Sequence, residues 1–464
     1  MQMVMRFVCL SRLSRLLVLL PMIVWGQEAA ESIPQGKRPI STAQKQKSYG
    51  RHSDFVAAVA ISPDGKRVAS AGDNRLKVTD LETGKELWEL KPTKGMSIFS
   101  LAFSPDGKSL VAGQSMLYER KKVRKGDTII TTIKYQGEVL VWDAQTGALK
   151  GALYKSAEPA WAVAFSPDGK LLAMGAGPAT GGEDESCKGE CVGVGEVLIW
   201  NTSDWTLVQR LRGSHQPIRS VAFSPDGRRL AGGAGWLEDW QLERIKEGDH
   251  SPLLIWELAT GELKHSLPGH RRPITSIAFS PDGRLLASAS KDRGLKIWDT
   301  QTYELKNSAS EYLLSVDEIQ TILDDVDEKH RKNALPTSSW LTVILFSPDS
   351  KHILGGGGDG IIRFYNANTG KIVQILKPND WPILGWRTPS PANRAPILST
   401  ISRTRSAEFG GLTDPVTDRR LQMQMMAQRW PQAEGSLNAM AQTLDGRLLV
   451  TGNADGKIRV LVLE

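Results

Sequence analysis

"IAFSPDGRLLASAS", residues 277–290, decides the fold because it recurs. The same pattern appears as "VAISPDGKRVASAG" (59–72), "LAFSPDGKSLVAG" (101–113), "VAFSPDGKLLAMG" (163–175) and "VAFSPDGRRLAGG" (221–233). It returns in weakened form as "ILFSPDSKHILGG" (344–356) and "MAQTLDGRLLVTG" (440–452), for seven copies in all. Downstream of each copy stands a second mark, in order LKVTD, VLVWD, VLIWN, LLIWE, LKIWD, IRFYN and IRVLV. A Thr-Gly pair often follows, as at Thr83-Gly84, Thr146-Gly147, Thr260-Gly261 and Thr369-Gly370.

Each unit reads as four short strands. Pro fixes φ in the S-P-D-G turn and Gly takes the left-handed position that closes it. The Thr-Gly pair turns the third strand into the fourth. Four-stranded units at a period of roughly 40 to 45 residues are the mark of propeller blades. The expectation is an all-β, seven-bladed β-propeller of four-stranded antiparallel blades, with long loops, some helical, on one face.

The recurrence resembles the WD-repeat β-propeller family over residues 50–464, in a secreted, bacterial-type form. The fifth unit matches best, through His270, Ser288, Asp292 and Trp298. The resemblance implies that these four form a hydrogen-bonded structural tetrad. It also places Asp73, Asp359 and Asp455 at the Asp position, and His52 and His215 at the His position. The chain ends on a third strand, "KIRVLVLE". By the same resemblance a stretch near 40–49, "ISTAQKQKSY", supplies the missing outer strand of the seventh blade. Without that strand the ring would leave an unpaired edge.

Steps between the turn residues Ser62, Ser104, Ser166, Ser224, Ser280, Ser347 and Thr443 lengthen after the first. Extra residues fall at about 116–136, 178–194 and 236–252, between second and third strands. Others fall at about 309–337 and 379–436, between a fourth strand and the next first strand. Strands alternate in direction within a blade, so all five insertions are expected on one face. Long loops on a rigid scaffold are where binding usually resides.

The third blade's insertion holds "GGEDESCKGEC" (181–191), with Cys187 and Cys191 expected to pair as a disulfide in an oxidising compartment. No metal is expected there, since structural zinc wants four N or S ligands. "ERKKVRKGDTIITTIKY" (119–135) reads as a strand-turn-strand extension with a basic tip, able to meet anionic envelope polymers or lipid headgroups. "SVDEIQTILDDVDEKHRK" (315–332) reads as a capped amphipathic helix. Trp236, Trp240, Trp381, Trp386 and Trp430 all lie in insertions and are candidate binding residues, five of the chain's fourteen tryptophans.

The opening residues carry Arg6, Arg12 and Arg15 ahead of an apolar run, LLVLLPMIVW. That is the layout of a signal peptide over 1–26, cleaved after Gly26, followed by a linker over 27–38 and the propeller over 39–464. An uncleaved membrane anchor is the alternative. Cleavage removes Cys9 and brings the excess of basic over acidic residues from seven to four. So mild a charge gives no sign of nucleic acid as a partner. After cleavage no membrane span is expected.

No catalytic constellation stands out: three of the seven histidines sit at tetrad positions and the others are scattered. "LGGGGDG" (354–360) belongs to a blade and is no phosphate loop. The reading is a monomeric, cofactor-free scaffold, periplasmic or secreted, that binds protein partners on its loop-bearing face. The alternatives are a propeller enzyme, hydrolase or lactonase-like or an oxidoreductase, with a site at the channel mouth, and a structural envelope protein with no ligand.

Overall fold

The computed structural model describes residues 40–42, 46–53, 55–72, 75–91, 96–125, 128–156, 158–177, 195–235, 250–309, 341–358, 360–377 and 437–463. All lie in one compact unit, Arg38–Glu464. Within it the chain forms an all-β, seven-bladed propeller. The blades start at strands Val56–Ile61, Ser97–Phe103, Ala160–Phe165, Ile218–Phe223, Ile274–Phe279, Leu341–Phe346 and Leu437–Gln442. Six blades run first strand to fourth in chain order, antiparallel throughout. First strands of neighbouring blades pack side by side, and the seventh packs on the first, so the ring closes.

Burial follows position in the blade. The second strand of blade 5, Leu285–Ser290, is buried at every residue. Blades pack face to face, so a middle strand has protein on both sides, which explains its unbroken run of small and apolar residues. Outer strands keep one side in water, and Leu263–His270 shows it, with four of its eight residues exposed. Seven hydrophobic clusters follow, one in each seam between consecutive blades.

The closing strand differs from the expected 40–49. Gln46–Arg51 pairs antiparallel with Lys457–Val462 and is the outer strand of blade 7. Ile40–Thr42 instead pairs in parallel with Ile375–Lys377, as a fifth strand on blade 6. The polar stretch holds its place through one large residue. Tyr49 is buried among Val56, Val68, Leu81 and Ile458, and its hydroxyl donates to the Leu81 carbonyl at 2.8 Å.

The expected extension at 116–136 is a continuous ribbon, since Ser109–Lys125 and Thr128–Asp143 stay paired out to Lys125↔Thr128. The expected helix at 315–332 lies outside the described residues.

Candidate functional site: the loop-bearing end of the ring

One end of the ring is made of tight turns. In blade 1 the Ser62 hydroxyl donates to Asp64 Oδ1 at 2.5 Å and accepts the Arg67 N–H at 2.9 Å. The Lys66 N–H donates to Asp64 Oδ1 at 3.0 Å. The same hydroxyl–carboxylate bond recurs in the other six blades, with Thr443 and Asp445 in the last. The Ser104 hydroxyl and the Lys108 N–H hold the Asp106 carboxyl below its ordinary value, against burial. At Asp64 burial pushes upward more strongly, yet Ser62 and the Lys66 N–H still bring the carboxyl down.

Each turn also leans on its neighbour. A Cβ at Gly107 would lie 3.7 Å from Pro63, one at Gly169 3.4 Å from Pro105, and one at Gly65 3.5 Å from Thr443 of the last blade. In blade 6 Ser350 replaces the glycine, keeps φ at 61°, and its hydroxyl accepts the Asp282 N–H of blade 5 at 3.1 Å. Each turn therefore touches the turn of the preceding blade.

The opposite end is where second strands finish and first strands begin. Described chain leaves there at Gly177, Gly235, Ala309 and Lys377, and returns at Gly195, His250, Leu341 and Leu437. The long ribbon of blade 2 leaves from it too. Trp236, Trp240, Trp381, Trp386, Trp430, Cys187 and Cys191 lie outside the described residues.

Blade 5 carries a connected set of side chains at this end. His270 ends the outer strand of blade 4 and is fully buried. Its Nε2 is 2.8 Å from Ser288 Oγ, and its Nδ1 is 3.0 Å from Asp292 Oδ2. The Trp298 indole N–H donates to the same Ser288 oxygen at 3.0 Å. Asp292 also accepts the N–H groups of Arg271 at 2.9 Å and Gly294 at 2.8 Å. Burial pushes the Asp292 carboxyl up, but the hydrogen bond and charge of His270, with the two backbone donors, hold it at about 2.

Other blades keep less of this set. In blade 1, His52 is buried, with Nε2 2.9 Å from Ser70 Oγ; Asp73 lies outside the described residues, as does Asp359. His215 does not take the position of His270. Ser214 pairs with Gly195 as His270 pairs with Ser251, so His215 stands one residue beyond and is exposed. Blade 4 has Gly232 where blade 5 has Ser288. A Cβ there would meet the Trp256 ring at 2.6 Å, and the Trp256 N–H turns to the Arg212 carbonyl at 3.0 Å.

Blade 7 replaces the arrangement altogether. Arg459 is fully buried and forks Asp455, at 2.7 Å from Oδ2 and 3.2 Å from Oδ1. Burial pushes the Asp455 carboxyl up, but Arg459 and the Lys457 N–H bring it below its ordinary value. Blade 6 places Arg363, also buried, at the equivalent register.

Sequence reasoning passed over the first strands. Aligned on S-P-D-G, the residue five before the turn serine reads Ala57, Phe99, Trp161, Arg219, Thr275, Thr342, and Asn438 in the last blade. Thr275 donates to the Leu341 carbonyl at 2.8 Å, Thr342 to that of Leu437, and Asn438 to that of Val56 at 3.0 Å. These bonds stitch each inner strand to the next. In blades 2 to 4 the same positions stack instead, Phe99 edge-on to Trp161 at 5.4 Å and the Arg219 guanidinium 4.0 Å over the Trp161 ring. The signal was legible as a column of the aligned repeats, not along any one repeat.

Nearby, the Arg210 and Arg212 side chains meet Glu196 at 2.8 and 3.4 Å. Burial and the Glu196 carboxylate push the Glu158 carboxyl above its ordinary value, against the pull of Arg210. Gln114 donates to Glu138 at 2.7 Å. Among the described residues no group of three or more His, Cys, Asp or Glu is placed to hold a metal ion.

The repeat has counterparts in known proteins. Residues 43–80, 205–238, 261–299 and 331–366 match the family described as WD domain, G-beta repeat. Over those four stretches the chain is similar to that family, and its described residues form a seven-bladed β-propeller. It is 31% identical over 174 residues to the WD repeat-containing protein SL1-17 of Schistosoma mansoni, a match covering 38% of this chain and 48% of that protein. It is 26% identical over 219 residues to the COMPASS component SWD3 of Saccharomyces cerevisiae, covering 47% of this chain and 52% of that one. It is 24% identical over 215 residues to autophagy-related protein 16 of Arabidopsis thaliana, covering 43% and 38%. The chain thus spans about half or less of the length of each of these relatives. All three are eukaryotic proteins.

Proposed function

We propose that this propeller is an exported, non-catalytic scaffold that holds a protein partner on its loop-bearing end. One observation carries the reading. Every long connection leaves the described strands at the same end of the ring, while the other end carries seven short turns, each touching the next. A rigid ring with its variable chain on one side is the layout of a binding platform. The name of the yeast relative, a component of an assembly, agrees with a role in holding proteins together.

Export is the second part of the proposal. Arg6, Arg12 and Arg15 ahead of LLVLLPMIVW support a leader cleaved after Gly26, and Cys187 and Cys191 then pair where a disulfide persists. Trp236, Trp240, Trp381, Trp386 and Trp430 supply aromatic contact surface. The test is affinity capture from native extract with two baits, the natural chain and one with 379–436 replaced by a short Gly-Ser turn. A partner held by the first and lost by the second supports the platform. Equal capture by both baits would sink it.

A further inference from the structure

In blade 2 the second and third strands outrun their neighbours. Pairing of the first strand with the second stops at Ser97↔Ser115, and of the fourth with the third at Ser156↔Gly137. Pairing of the second with the third continues from Met116↔Gln136 to Lys125↔Thr128, with one bulge between Leu117 and Glu119. Beyond Met116 the two strands form a ribbon with, among the described residues, no further strand beside it in the sheet. At about 3.3 Å per residue its length is roughly 30 Å. Such a ribbon is only marginally stable in water on its own.

Its composition is uneven. The outward strand holds Arg120, Lys121, Lys122, Arg124 and Lys125 against one acid, Glu119. The return strand holds Ile129, Ile130 and Ile133 among threonines. Register sorts these onto two faces. Positions 120, 122 and 124 share a face with Ile133, Thr131 and Ile129. Positions 121, 123 and 125 share the other with Thr132, Ile130 and Thr128. Each face therefore pairs a basic strand with an apolar-to-hydroxyl strand.

We propose that this ribbon is a membrane-contacting element that docks on an anionic lipid surface. Lys and Arg meet phosphate headgroups there, while isoleucines reach the acyl boundary. A two-stranded ribbon also fits the major groove of DNA. Ile129, Ile130 and Ile133 match an acyl boundary and have no counterpart in a groove of phosphates and base edges, which favours lipid. The choice of lipid rests also on the proposed export, whereas the charge and register of the ribbon do not.

The test uses the full chain with vesicles of phosphatidylcholine alone or mixed with phosphatidylglycerol, at low and raised salt. The N-terminal stretch, with Arg6, Arg12 and Arg15, is common to the natural chain and the variants, so the part of the anionic preference that changes between them is read. The natural chain is expected to prefer anionic vesicles by about tenfold or more, and to lose the preference as salt screens the charges. Replacing Arg120, Lys121, Lys122, Arg124 and Lys125 with Gln is expected to abolish it with thermal unfolding unchanged. An Ile129→Ser, Ile133→Ser variant, its charge intact, is expected to weaken binding several-fold. A salt-insensitive preference, an unchanged preference in the Gln variant, or tighter binding to duplex DNA than to anionic vesicles at equal salt would each overturn the proposal. None of these arms depends on whether a protein partner is captured.

Discussion

Blades 5 and 7 have the same strand order and the same hydroxyl–carboxylate turn, yet they are braced by different chemistry. Blade 5 is one unbroken run from Ile274 to Ala309, tied to blade 4 by His270 and internally by Ser288, Asp292 and Trp298. Blade 7 is assembled from two ends of the chain, Gln46–Arg51 and Leu437–Val462. It has Leu461 where blade 5 has Trp298, and Thr451 where blade 5 has Ser288. In exchange it gains a buried guanidinium fork and a remote tyrosine anchor. A blade made from contiguous chain can rely on local hydrogen bonds. A blade that must also recruit a distant strand needs large buried contacts to offset the entropy of bringing it in.

That contrast breaks first at Tyr49. Tyr49→Ala should cost about 3 kcal/mol, because a nearly buried ring and its bond to Leu81 are lost together. Denaturant unfolding would show it. The same variant should aggregate sooner, as the closing strand detaches and exposes the edge of Lys457–Val462. A loss below about 1 kcal/mol would mean the closing strand is held elsewhere.

Arg459 is next. Arg459→Met leaves the Asp455 carboxylate without its fork and should cost about 3 kcal/mol. Its register equivalent in blade 5 is Lys296, which pairs with Ser288 as Arg459 pairs with Thr451. Lys296→Met should stay within about 0.5 kcal/mol. Similar losses in the two variants would erase the distinction between the blades.

Acid then separates the braces. The folded Asp292 carboxyl sits at about 2, below its unfolded value. The folded state therefore gains stability that is complete above roughly pH 4 and is lost as pH falls toward 2. The span is on the order of 1–2 kcal/mol once partial exposure is allowed for. Asp292→Asn should be less stable at neutral pH and show a flatter acid limb, measured by urea unfolding between pH 5 and 2.

Most of this fold was legible in the sequence, and the reason is repetition. A turn seen once is weak, but Ser62 to Thr443 repeat one hydrogen-bonding unit at every blade, and each repeat fixes four strands. The tetrad at His270 was legible through the resemblance to the WD-repeat family. What escaped notice depends on contacts between repeats. His215 has the right side chain but stands nine residues before its turn serine, whereas His52 and His270 stand ten before theirs, so Ser214 takes the position. Tyr49 sits in a polar stretch with no periodicity, and its role comes from Leu81 and Val68 of another blade. The stack of Phe99, Trp161 and Arg219 joins three blades across one seam position, so no single repeat displays it. Candidate contact residues in the insertions carry no repeat at all.

The smallest expected difference between blades 5 and 7 lies in their turns. Gly283 and Gly446 hold the same place, at φ of 73° and 75°. Alanine at either adds the left-handed penalty of roughly 1 kcal/mol. Around them the space differs. A Cβ at Gly283 would have its nearest neighbour, Pro225, 4.0 Å away, whereas one at Gly446 would press on Pro348 at 3.0 Å. Ser350 shows that a side chain is tolerated in such a turn when it gains a bond, here to the Asp282 N–H. Alanine gains none. Gly446→Ala should therefore lose more than Gly283→Ala, by a few tenths to about 1 kcal/mol, with Pro348 forced to shift. Comparing both variants by thermal unfolding isolates that contact, since the backbone penalty is common to both. If Gly283→Ala proves the costlier, turn-to-turn packing is not what limits the closing blade, and Tyr49 with Arg459 carries the closure alone.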